Sequence, residues 1–171
     1  HFLPVYCHSP SLAPHPFPAR LSSDLLFLPP PCIRLIVIVI GAGLEMLVPR
    51  PFAPDWAQTY LGPSLVVGAI GLVIIAERQF KRAGTSVKPW VPTTAIVTTG
   101  IFSVSRNPMY LAMVILLAGL SIAGNTLWML TAIVGFVGMM HYGVILREEA
   151  YLERLFGVAY TDYKARVRRW I

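Results

Sequence analysis

Four apolar runs dictate what this chain can fold into. They cover residues 33–48, 57–76, 108–123 and 126–146. A helix that crosses a hydrocarbon core needs roughly 17–25 residues at about 1.5 Å each. The second and fourth runs meet that length. The first and third lie near its lower limit and need flanking residues to complete a span. Lipid offers no water to backbone amides, so each run must be a helix or part of a closed barrel. A barrel needs alternating strands of about ten residues, and Leu35-Ile36-Val37-Ile38-Val39-Ile40 does not alternate. The expected fold class is therefore all-α: a multi-pass membrane protein with about four transmembrane helices.

Composition agrees. The chain is 56% apolar and only 13% charged, where soluble domains carry roughly 25% charged residues. A net charge of +6 admits nucleic acid or anionic lipid as a partner. The charges fall between long apolar runs, so the expected partner is the lipid bilayer and not nucleic acid. Cys7 and Cys32 have no metal-type spacing. Residues 1–24 lack helical periodicity and read as an irregular, proline-rich tail, leaving 25–171 as the membrane domain. The chain opens on His1, which admits a fragment, a processed product or a displaced start, and the tail does not read as a signal peptide. His1, His8 and His15 sit among prolines without fixed geometry, so no metal is expected.

Charge placement gives a topology. Between runs two and three lies a polar stretch, residues 77–107, with Arg78, Lys81, Arg82, Lys88 and Arg106. After run four comes a basic segment with Arg147, Arg154, Lys164, Arg166, Arg168 and Arg169. Between runs three and four lies only Gly124-Asn125, a tight uncharged hairpin. Four crossings put the two basic stretches on one side, and the positive-inside rule makes that side cytoplasmic. Trp56 and Tyr60 suit an interfacial position on the outer side. Arg34 and Glu45 lie near the ends of run one, where long side chains snorkel.

Three polar clusters fall on the cytoplasmic side. The first is Gly84-Thr85-Ser86-Val87-Lys88-Pro89. The second runs from Thr98-Thr99-Gly100 through Arg106-Asn107-Pro108-Met109-Tyr110. The third holds His141, Arg147-Glu148-Glu149, Leu152 and Phe156-Gly157, with Tyr160 and Tyr163 following. Each has a plain structural explanation. Asn107-Pro108 is a good helix start, with Asn as cap and Pro at the first position, and the glutamates suit a solvated helix face. Together they point further. His141 and Glu148 are seven apart and share a face of a regular α-helix, which Leu152 continues. Arg106, Asn107 and Tyr110 open the neighbouring helix. Such a group at the inner membrane surface is costly without partners, which favours a ligand.

These residues carry a resemblance. The stretch Thr98 to Tyr110, the hairpin, and the run Arg147-Glu148-Glu149-Ala150-Tyr151-Leu152-Glu153-Arg154-Leu155-Phe156-Gly157 with Tyr160, Tyr163, Val167, Arg169 and Trp170 resemble the isoprenylcysteine carboxyl methyltransferase and phospholipid methyltransferase group. The shared pattern is Arg-(His or Asn)-Pro-x-Tyr, a hairpin, then Glu-Glu-x-x-Leu and Phe-Gly-x-x-Tyr-x-x-Tyr. It is close from Glu77 to Trp170, looser from Leu25 to Ala76, and does not reach the first two dozen residues. The resemblance implies S-adenosyl-L-methionine as cofactor, held on the cytoplasmic side by the last two helices and the C-terminal segment. It makes Gly100, Arg106, Asn107, Pro108, Tyr110, His141, Glu148 and Glu149 the expected cofactor-binding residues, with Arg106, Tyr110 and Glu148 the catalytic set. Arg106 would pair with the cofactor carboxylate. Asn107 and His141 would bond its amino-acid moiety. Glu148 or Glu149 would bind the amine or ribose hydroxyls. Tyr110 would line the methyl channel, and Gly100 would allow close backbone approach.

The expected reaction is an in-line methyl transfer from sulfur to a membrane-accessible, apolar or lipid-like acceptor. A prenylcysteine-like carboxylate, a lipid amine and a small thiol all stay open. A carboxylate or thiolate needs no general base, so orientation and desolvation are the protein's main contribution. Asn107 departs from the eukaryotic prenylcysteine enzymes, which resemble this pattern with His there; Asn cannot take a proton. Two alternatives stand beside this reading: a non-enzymatic membrane subunit, and a sterol-reductase-like enzyme using a nicotinamide cofactor.

Overall fold

The computed structural model describes residues 30–85 and 95–171. The tail 1–24 and residues Ser86-Val87-Lys88-Pro89 of the first polar cluster lie outside the described residues, as does the side chain of Arg34. Every element among the described residues is helical. Helix α1 is Pro30–Leu47. A π-helical turn, Ala57–Leu61, runs directly into α2, Gly62–Arg82. A short 3-10 turn, Gly100–Ser103, leads to α3, Pro108–Ala123. Helix α4, Leu127–Met139, passes through a second π segment, Met140–Ile145, into α5, Leu146–Phe156. Helix α6, Val158–Arg166, follows.

Two continuous rods result, Ala57–Arg82 with 26 residues and Leu127–Phe156 with 30. At about 1.5 Å per residue both exceed a hydrocarbon core of about 30 Å. Length alone does not distinguish a membrane span from the core helix of a soluble protein; burial does. Only 17% of the most apolar stretch of the first rod and 28% of the second is buried. Exposed side chains on them include Val67, Ile70, Ile74, Ile75, Val134 and Met139. Water tolerates no apolar exterior of that extent on a monomer, so the rods suit lipid. Helix α3 and the apolar part of α1, Leu35–Leu47, are shorter.

Helix α2 lies along α3, α3 along α4, and α4 along α1. Lipid supplies no hydrophobic drive between helices, so close van der Waals packing must hold them. Small residues permit it. On α2 the buried residues are Gly62, Ala69 and Ala76, a seven-residue spacing, and α3 answers with buried Ala112 and Gly119. A Cβ on Gly62 would meet the backbone nitrogen of Ala123 at 2.6 Å, and one on Gly119 would meet the carbonyl oxygen of Gly62 at 2.9 Å. Between α3 and α4, buried Leu117, Ile133, Phe136 and Met140 form the main core.

The Gly124-Asn125 hairpin is present, with Asn125 at φ 49, a conformation Asn tolerates better than most residues. Its side chain does more than turn the chain. Oδ1 accepts from the backbone N–H groups of Phe52 and Ala53, each at 2.8 Å. The loop between α1 and α2 is thereby tied to the α3–α4 hairpin at one end of the bundle. Trp128 adds a second tie, its Nε1 donating to the Val48 carbonyl at 2.7 Å. Glu45 bonds locally through one oxygen, its Oε1 accepting from the Arg50 backbone N–H at 2.7 Å, while Oε2 is buried without a hydrogen-bond partner.

Replacing Gly62 by Ala overpacks the α2–α3 contact and is expected to cost about 1–3 kcal/mol. Gly68→Ala, on an open face of the same helix, is expected to be neutral or slightly stabilising. Thermal unfolding in detergent micelles compares the two.

Candidate active site

The far end of the bundle is built around Glu149. The chain reaches it by three routes. Helix α3 opens at Asn107-Pro108, with Arg106 just before it. Helix α5 carries Glu148 and Glu149 in its first turn. After α6 the backbone turns extended at Val167 and residues 167–170 return across the start of α3.

That return is pinned by backbone as much as by side chain. The Arg106 N–H donates to the Arg168 carbonyl at 3.1 Å. The Asn107 side chain donates through Nδ2 to the Arg169 carbonyl at 3.1 Å, and the Ser105 hydroxyl points to the same carbonyl at 3.5 Å. Asn107 does stand at the cap position of α3, but its side chain makes no capping bond. Its amide serves the returning strap instead. Pro108 is fully buried at the first position of α3.

Glu149 is nearly buried, with its side chain 4% exposed and that of Arg106 7% exposed. Arg169 grips the carboxylate at two points, Nε to Oε1 and Nη2 to Oε2, each 2.9 Å. Arg106 reaches Oε1 through Nη2 at 3.2 Å. Arg169 also places Nη1 3.3 Å from His141 Nε2. A guanidinium has no acceptor, so His141 Nε2 must offer its lone pair and carry its proton on Nδ1. Arg106 keeps two buried nitrogens, Nε and Nη1, with no hydrogen-bond partner. Buried charged donors are ordinarily satisfied, so this pair stands out among the described residues.

Glu148 faces elsewhere. It is exposed, and Tyr110 donates its hydroxyl to Oε2 at 2.9 Å. A seven-residue step was expected to put His141 and Glu148 on one face. The structure brings His141 to the Arg169–Glu149 group instead, eight residues on. The cause is the π segment Met140–Ile145. Its wider i to i+5 closure takes up one extra residue, so an eight-residue step there does what seven would do in a plain α-helix. Leu152 does line the neighbourhood, packing with Phe156 and Ile96 against Tyr160, Tyr163 and Val167.

Gly100 is also placed differently from its expected role. It has φ +62, and a Cβ there would lie 2.1 Å from the Gln79 side chain. The close approach is to α2. In the orientation that satisfies both ends, the Gln79 amide donates to the Thr99 carbonyl at 3.1 Å and accepts from the Ile101 N–H at 3.3 Å. This locks the turn before α3, and Tyr163 bonds the next carbonyl, that of Phe102, at 2.7 Å.

Arg169, Ser105 and Tyr160 join this polar cluster and are outside the expected set. Tyr160 and Arg169 carried a signal, since both fall in the family-like pattern; neither the ion-pair partner nor the strap's return is written in local spacing. The Tyr160 hydroxyl lies in the field of Glu149, Arg106 and Glu148. Burial, and then Glu149's negative charge, push it from 10.0 up to about 12. Burial pushes the Tyr163 hydroxyl up as well.

Arg106, Asn107 and the Glu148-Glu149 pair all fall inside a stretch, residues 57–159, that matches a known family description, phospholipid methyltransferase. That stretch is more than half of the chain. The chain belongs to the phospholipid methyltransferase family. Membership, with the apolar rods, makes it a membrane methyltransferase in general terms. Over 64 residues it is 41% identical to an uncharacterized protein of Haemophilus influenzae, which covers 37% of this chain and 100% of that protein. No solved structure matches.

The Tyr160 shift has a sign. A phenol raised in the folded state favours the protonated form there, so its contribution is complete below pH 10. It is lost as pH rises from 10 through about 12. Thermal midpoints measured across that window should fall less steeply for Tyr160→Phe than for the parent chain.

Proposed function

We propose that this chain transfers a methyl group from S-adenosyl-L-methionine to a membrane-accessible acceptor, at the bundle end where α3 begins. The observation that carries the reading is the buried Arg106 guanidinium with Nε and Nη1 unpaired, at the same end of the bundle as the carboxylate Glu148 that Tyr110 holds. The methyl donor has an anionic carboxylate and a cationic amine and sulfonium. The residues fit that pairing of charges. Arg106 would receive the carboxylate through its two open nitrogens. Glu148 would face the cationic groups, and Tyr110 would hold Glu148 in place from α3. His141, committed to Arg169 by the only nitrogen that can accept, would act through that arginine and not on the ligand.

When bound, the cofactor supplies an electrophilic methyl group. The chain's own residues do the remaining work: they orient, and they exclude water. Asn107 takes no proton, and its side chain is committed to the strap. The family description favours a phospholipid acceptor, while a prenylcysteine-like carboxylate or a small thiol uses the same donor site.

The reading includes four crossings, with α1 and α3 as the shorter spans and the site on the cytoplasmic face. The ties through Asn125 support it, because they gather the loop after α1 and the α3–α4 hairpin at one end. The basic segment that includes Arg154, Arg166 and Arg168 gathers at the other.

Calorimetry of the full chain in detergent micelles with S-adenosylhomocysteine tests the reading. The parent protein is expected to bind, and Glu148→Gln, at an exposed position, to weaken binding by about tenfold. A folded parent chain that gives no binding heat, or a Glu148→Gln variant that binds equally, overturns it.

A further inference from the structure

The two oxygens of Glu149 are unequally shared. Arg169 takes both, with Nε on Oε1 and Nη2 on Oε2. Arg106 reaches only Oε1, and by the longest of the three contacts. A guanidinium is a rigid planar fork whose best match is a two-oxygen acceptor. Arg106 is denied that match because Arg169 already holds it. The outcome is a buried cation with Nε and Nη1 unspent. Two guanidiniums against one buried carboxylate also leave the triad one positive charge in excess.

We infer that Arg169 is a positioning residue: its two-point grip on Glu149 keeps Arg106 available to an anionic ligand group. The inference rests on the proposed methyl-donor reading, in which that group is the donor's carboxylate. Arg169 lies beyond the residues, 57–159, that carry the family match. Its own placement is set from three sides. Its carbonyl is taken by Asn107 and Ser105, the preceding carbonyl by the Arg106 N–H, and its Nη1 by His141. With Arg169 absent, nothing among these contacts stops Arg106 from turning its fork onto both Glu149 oxygens and closing the anion position. The glutamate would remain neutralised while the ligand's place was lost.

Arg169→Ala isolates this effect, because the backbone contacts of the strap need no arginine side chain. Two ligands separate positioning from folding. S-adenosylhomocysteine carries the carboxylate; 5′-methylthioadenosine keeps the adenosine and thioether but lacks it. Calorimetry on the full chain in micelles should find S-adenosylhomocysteine binding about tenfold weaker or worse in Arg169→Ala. Methylthioadenosine binding should hold within about twofold. Equal S-adenosylhomocysteine affinity in the parent and Arg169→Ala overturns the inference and leaves the proposed function standing. Parallel loss of both ligands with a lowered thermal midpoint makes Arg169 a plain structural residue and overturns it too. A folded parent chain that does not bind S-adenosylhomocysteine overturns the proposed function and this inference with it.

Discussion

A single buried carboxylate, Glu149, holds the polar end of this bundle together. It receives Arg106 from the approach to α3 and Arg169 from the strap after α6. Ion pairs of this burial are weak contributors to net stability, because desolvation offsets most of the attraction. What they fix is geometry. A carboxylate with two arginines can be satisfied in few arrangements, so the ends of three separate segments acquire one relative placement. Removing the carboxylate leaves buried guanidinium charge uncompensated, whereas either arginine alone still neutralises it.

The rest of the bundle is arranged so that this polar end can be precise while the remainder sits in an apolar solvent. Close approach of α2 and α3 through Gly62 and Gly119 gives these two helices little freedom to slide. Asn125 and Trp128 tie the loops at the opposite end. The π segment in the α4–α5 rod is the one departure from regular helix there, and it turns His141 toward Arg169. A wide turn in a helix carries a modest cost in packing, and here it coincides with the polar site.

Much of the fold was legible from the residues. The third apolar run and α3 coincide at Pro108–Ala123, because Asn107-Pro108 and Gly124-Asn125 punctuate it at both ends. The second and fourth apolar runs end at Ala76 and Leu146, and the helices continue past them to Arg82 and Phe156. Apolarity reports the solvent around a helix and not the backbone, so a rod that emerges from lipid with Glu77, Arg78 and Gln79 keeps its hydrogen bonds after the signal stops. At the site, residue types were legible and pairings were not. Glu148 and Glu149 are adjacent and identical in kind. Which one faces Arg106 depends on a one-residue shift in a π segment, and Arg169's return depends on a carbonyl accepted by Asn107. Neither leaves a mark on periodicity.

The central claim is tested most directly by a double-mutant cycle between Arg106→Gln and Glu149→Gln, read as unfolding free energy of the full chain in micelles. Close, buried charge pairs give coupling of about 1.5 kcal/mol or more, and that is the expected result here. Additivity of the two substitutions within about 0.5 kcal/mol would contradict the account, because it would mean the guanidinium and the carboxylate do not meet.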